Sequence, residues 1–296
     1  MMIKFILSVL PATIFVTGEV WIDVDVNENG EPCIIASFAD EIGTRQRCLR
    51  VDPSETAIWV RERPSTDVLV VTTNTAEELR IPGLRCLSSS LSDDSGSLGI
   101  GFGSDIERFA ERSVMLWPGQ MVVDSLSPRS FCENQAMVML PIRRNSQGGH
   151  VEDHPVRVSL VNQDDGSQID FGGAPLAESS GTLSWFFGRT TVPMSTYTAI
   201  QHYYLMHSGG AQLEDGDFDC SQIMNRLPAI KFAFSEANIH LYPEDYLHVD
   251  PMTGFCSPKL HGTRNRHGLN IGYMALQNMV ILLDYANDQM GFCDPI

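Results

Sequence analysis

The strongest constraint on this chain is the recurrence of short β-rich runs, each bounded by turn residues. Val20-Trp21-Ile22-Asp23-Val24-Asp25-Val26 alternates apolar and polar positions and is followed by Asn29-Gly30. That is the pattern of a half-buried strand leading into a hairpin turn. Val68–Val71, Met137–Leu140, Val156–Val161 and Ile230–Phe234 are further β-rich runs bounded by Gly, Pro, Asn or Ser. Helical periodicity is weak and confined to Asp105–Ser113 and Ser195–Leu205, the second opening on an N-cap Ser after Pro193. The pattern predicts a mainly β protein with a few short helices. At 296 residues the chain exceeds what one core usually serves, so two packed lobes or one large domain is expected. Phe171-Gly172-Gly173-Ala174-Pro175 reads as a strand end and a joint, which divides the chain into lobes over 19–173 and 174–296.

Charge removes one function class. The 20 basic residues against 37 acidic ones leave a net charge of −17, and the only lysines are Lys4, Lys231 and Lys259. Without a concentrated basic face such a chain repels a polyanion, so no nucleic-acid partner is expected. The N-terminus sets the expected compartment. Met1–Lys4 is a short positive head, Phe5–Val16 an apolar stretch, and Val16-Thr17-Gly18 offers the modest residues a signal peptidase prefers. Residues 1–18 are therefore read as a secretory signal cleaved before Glu19, with a buried first strand or helix as the alternative. The stretch is too short to span a bilayer, and no transmembrane segment is expected.

Cys33, Cys48, Cys86, Cys132, Cys220, Cys256 and Cys293 contain no C-x-x-C pair, so zinc-type spacing is absent. In an oxidising compartment most would pair, the odd number leaving one over. His150-Val151-Glu152-Asp153-His154 sits between Gly148-Gly149 and Pro155, which makes it a loop rather than a helical ligand pair; His261 and His267 lie in an Arg-rich loop. There is no Gly-x-Ser-x-Gly elbow and no phosphate loop. No metal and no cofactor is expected.

The C-terminal third carries a family resemblance. Asp219-Cys220-Ser221-Gln222-Ile223, Leu227-Pro228-Ala229-Ile230-Lys231-Phe232-Ala233-Phe234, Leu241-Tyr242-Pro243-Glu244-Asp245-Tyr246-Leu247, Leu269-Asn270-Ile271-Gly272, Leu283-Asp284-Tyr285-Ala286-Asn287 and Met290-Gly291-Phe292 occur in that order. Together they resemble the C-terminal lobe of a pepsin-like aspartic protease. Upstream, Gly43-Thr44-Arg45-Gln46 resembles the turn before that family's first catalytic strand. Val51-Asp52-Pro53-Ser54-Glu55-Thr56-Ala57-Ile58-Trp59-Val60 aligns without a gap on its Asp-Thr-Gly motif, and Leu98-Gly99-Ile100-Gly101-Phe102-Gly103 resembles its following Gly-rich segment. The resemblance implies a bilobal pepsin-like acid protease fold, truncated in both lobes, around a cleft for a peptide or protein ligand. It further implies a disulfide between Cys220 and Cys256, a structural role for Asp284 and Tyr285, and Asp52 as a catalytic carboxylate.

Aspartic proteolysis needs two carboxylates sharing one proton, because two like charges about 3 Å apart cannot both ionise. Each Asp is normally followed by a hydroxyl residue and Gly, but here Asp52 is followed by Pro53 and Ser54. The second motif should precede Thr190-Thr191-Val192-Pro193, yet Leu183-Ser184-Trp185-Phe186-Phe187-Gly188-Arg189 contains no Asp. The family's cleft-covering hairpin carries a Tyr, and no Tyr precedes Tyr197. The Asp94-Ser95-Gly96-Ser97 stretch spells a catalytic-looking motif, but its neighbours Ser88–Asp93 mark it as a solvated turn. The expected function is a secreted or endomembrane-lumenal peptidase homologue with impaired catalysis, acting by binding as a decoy, inhibitor or receptor. The alternative is an active acid endopeptidase in which Asp52 works with a second Asp.

Overall fold

The computed structural model describes residues 19–26, 32–52, 56–61, 64–86, 96–110, 112–125, 127–133, 136–145, 148–151, 155–164, 166, 178–180, 184–186, 190–207, 218–219, 224, 227–233, 238–250, 252–264, 270–272 and 278–296. The expected signal segment 1–18 and the joint Phe171–Pro175 lie outside them.

Strands dominate, as the short β-rich runs predict. A seven-stranded antiparallel sheet lies at the centre, in the order Val20–Asp23, Gln120–Val123, Ser113–Trp117, Val280–Asp284, Gln289–Cys293, Val138–Asn145, Gly148–Val151. Strands from the first half of the chain thus pair with strands from its end: Leu116 stands opposite Ile281, and Leu140 opposite Met290. One face of this sheet buries Val114, Leu116, Met121, Ile281 and Leu283 in the main core; the other buries Met115, Val122, Val280 and Leu282 in a second cluster. Trp21, Phe131, Met137 and Met139 pack over that second cluster, with the Phe131 ring edge-on to Trp117 at 4.7 Å. A disulfide between Cys132 and Cys293 closes this side.

A second sheet fills the N-terminal part. Its strands run in the order Glu78–Pro82, Val68–Thr72, Pro32–Ala39, Thr44–Asp52, Gly96–Gly99, Ile58–Val60, Leu84–Cys86, and Asp25–Val26 pairs with Pro32–Ala39. The hairpin of Pro32–Ala39 with Thr44–Asp52 is cross-linked by Cys33–Cys48. The C-terminal part holds three smaller sheets. One orders Glu178–Ser180, Pro155–Val161, Ala229–Ala233 and Asn238–Leu241. The second orders Ser184–Phe186, Asn270–Gly272, Thr190–Pro193 and Leu260–Thr263, and the third Phe218–Asp219, Phe255–Pro258 and Leu247–Val249.

Among the described residues the α-helices are Asp105–Phe109, Met194–His207 and Pro243–Tyr246. The expected helix Asp105–Ser113 is shorter than the pattern suggested: it starts on the Ser104 cap, whose side chain accepts from the Glu107 N–H, and stops at Phe109. Ser113 is instead the first residue of a central strand, because sheet pairing on both sides outweighs local helix preference there. The second helix begins one residue before the expected cap, at Met194, directly after Pro193 ends its strand.

Candidate functional site

Asp52 ends the strand Thr44–Asp52, which runs parallel to Gly96–Gly99 with Asp52 opposite Gly99. It is a buried carboxylate, 2% exposed. Its backbone carbonyl accepts from the Ile100 N–H at 2.9 Å, and its side-chain Oδ2 accepts from an Arg50 guanidinium NH2 at 3.3 Å. Arg50 precedes Asp52 by two residues, so strand pleating sets both side chains on one face. The Ser97 hydroxyl donates to the Arg50 carbonyl. The expected solvated turn at Asp94–Ser97 is corrected in part: Gly96 and Ser97 are buried in a strand, while Asp94 and Ser95 lie outside the described residues. A glycine is needed at 96, since a Cβ there would stand 2.6 Å from the Trp59 carbonyl oxygen at a φ of +151°.

The Asp52 strand end is braced from the far end of the chain. The buried Tyr285 hydroxyl donates to the Ile100 carbonyl at 2.5 Å, and its ring meets Phe102 edge-on at 5.2 Å. Tyr285 thus links the central sheet's C-terminal hairpin to the residue bonded to Asp52. Tyr285→Phe is expected to cost about 1–2 kcal/mol, because it strands a buried carbonyl. Thermal unfolding of the two proteins side by side checks this; equal stability would mean the hydroxyl is not structural.

The strand pattern around Asp52 is repeated in the C-terminal part. In the first, Thr44–Asp52 is parallel to Gly96–Gly99, which is antiparallel to Ile58–Val60, itself parallel to Leu84–Cys86. In the second, Ser184–Phe186 is parallel to Asn270–Gly272, which meets Thr190–Pro193 antiparallel, itself parallel to Leu260–Thr263. Leu98 stands opposite both Val51 and Ile58; Asn270 stands opposite both Ser184 and Thr191, at the same sequence interval. That register makes Trp185 the counterpart of Asp52, with Ser184 and Phe186 beside it. None of these three positions carries a carboxylate.

The hairpin Val68–Thr72 with Glu78–Pro82 lies between Val60 and Gly96. Near its tip the Asn74 N–H donates to the Trp21 carbonyl at 3.0 Å, at the edge of the central sheet. Pro53 and Ser54 lie outside the described residues, as does Cys220; Cys256 is disulfide-bonded. Among the described residues Cys86 is the free thiol, no group of side chains could hold a metal ion, and no helix is long and apolar enough to cross a membrane.

The residue that sequence reasoning missed is Arg50. Its signal was its place two positions before Asp52 on a strand, where period two puts a guanidinium beside a carboxylate. Among the described residues the arrangement sets a buried carboxylate against a guanidinium.

Two strand-interlaced β lobes on a shared antiparallel sheet, with an Asp at the end of the first lobe's central strand, define a bilobal fold of the pepsin-like aspartic-protease type. No protein-family model matches the sequence, and no curated protein matches it. Among solved structures, the fold is similar to the basic 7S globulin from soybean, at 14% identity and a TM-score of 0.65, covering 93% of this chain and 96% of that one. It is equally similar to conglutin gamma, a basic 7S globulin from lupine seeds, at 12% identity and a TM-score of 0.65, covering 93% and 94%.

Proposed function

We propose that this chain is a secreted or endomembrane-lumenal homologue of the pepsin-like peptidases that acts by binding a peptide or protein segment between its lobes, not by cleaving it. One observation carries the reading: the carboxylate of Asp52 is ion-paired with Arg50, while the matching strand presents Ser184, Trp185 and Phe186. A proton-sharing pair needs a second acid at those matching positions to activate water and protonate the leaving amine, and such acid–base assistance is typically worth about 10²–10⁴ in rate. The disulfides Cys33–Cys48 and Cys132–Cys293 support an oxidising compartment, as does the apolar Phe5–Val16 stretch. That the fold neighbours are named as globulins agrees with a non-hydrolytic role.

The test is cleavage of a denatured protein substrate by the folded chain between about pH 3 and 6, where a working aspartyl pair operates. No cleavage is expected from either the parent or Asp52→Asn. Cleavage by the parent that disappears in Asp52→Asn would overturn the reading and restore an acid endopeptidase.

A further inference from the structure

Away from Asp52, His240 is an ionisable group whose charged neighbour is set by strand register. The edge strand Asn238–Leu241 pairs, among the described residues, with Ala229–Ala233 alone. The register puts His240 directly opposite Lys231. Opposed residues of an antiparallel pair project to one face with Cβ atoms about 5 Å apart, and like charges there are destabilising. The His240 ring is half-buried and stacks on Tyr242 with centroids 6.4 Å apart. It therefore cannot swing its charge fully into water without giving up that contact.

The other groups within electrostatic reach come from the C-terminal segment and its neighbours. Asp294 acts on both rings, and Glu133, whose N–H donates to the Asp294 carbonyl, adds charge near Tyr242 together with Glu244 and Asp245. Burial first, and Lys231 second, hold His240 below the ordinary histidine range; Asp294 works the other way and does not reverse the shift. Tyr242, held above its ordinary range by burial and by Asp294, stays neutral and supplies no counter-charge.

We propose that His240 makes the edge hairpin of Ala229–Ala233 and Asn238–Leu241 acid-labile: its protonation sets a second cation against Lys231 on a half-buried face and loosens the edge strand. The folded-state value lies below the unfolded one, so between them the unfolded segment binds more protons than the folded one. The hairpin's stability is therefore complete above the ordinary histidine pKa and declines as pH falls through that range toward the folded value. The device responds where a chain moves from a neutral to a mildly acidic compartment.

Hydrogen exchange of the full chain, read on peptides covering residues 229–241 and corrected for intrinsic chemistry, tests this at about pH 7.5 and 5.0. Opening of Asn238–Leu241 is expected to be about threefold more frequent in acid, while peptides from Val280–Asp284 stay unchanged. His240→Gln should abolish the acid response and Lys231→Met should shrink it. A response retained in His240→Gln, or retained at full size in Lys231→Met, overturns the proposal, as does a parent chain whose hairpin exchanges equally at both pH values.

Discussion

Replacing both cysteines of the central cross-link, Cys132→Ala with Cys293→Ala, is expected to lower folding stability by about 5 kcal/mol. The two residues are 161 apart in sequence, so the bond removes far more freedom from the unfolded chain than a local staple does. It joins the end of Gln289–Cys293 to the residue just beyond the short Pro128–Phe131 turn of helix. Both cysteines are also packed into the apolar cluster around Met115, Val122 and Leu282, so the loss includes some packing. Cys33–Cys48 closes a separation of only 15; its paired removal should cost less, about 3 kcal/mol on the same entropic reasoning. Urea unfolding of the parent and the two double variants checks the order. If the central pair costs no more than the hairpin pair, loop entropy is not what the long cross-link supplies.

Arg50→Met is expected to cost about 3 kcal/mol, because it leaves the nearly inaccessible Asp52 carboxylate without its cation. Combining Arg50→Met with Asp52→Leu should recover much of the loss, as removing both charges is often close to neutral where removing one is not. A double-mutant cycle by denaturant unfolding gives the coupling directly. A single variant within about 0.5 kcal/mol of the parent would show that Arg50 is not what neutralises Asp52.

The short β-rich runs placed the main strands close to where they form, from Val20–Asp23 to Ala229–Ala233, because β-branched and apolar residues bounded by turn residues report a strand locally. The ordered C-terminal segments, together with the Asp52 alignment, pointed to the fold. What stayed hidden depends on contacts between distant positions. Spacing could not choose partners for Cys33 or Cys132, since sequence separation carries no distance. Nor did local pattern show that Ser113–Trp117 would be claimed by Val280–Asp284, or that Gly96 and Ser97 would leave their polar surroundings for a strand beside Arg50. Arg50 was visible as a residue but not as a partner, because its contact with Asp52 depends on both lying in one pleated strand.

The interlacing of early and late strands in the central sheet bears on biogenesis. Ser113–Trp117 leaves the ribosome with one edge satisfied by Gln120–Val123, but the other edge waits for Val280–Asp284, more than half the chain later. Until then it is an open, apolar template of the sort that recruits wrong partners. The central sheet therefore cannot be completed until the final strands have been made.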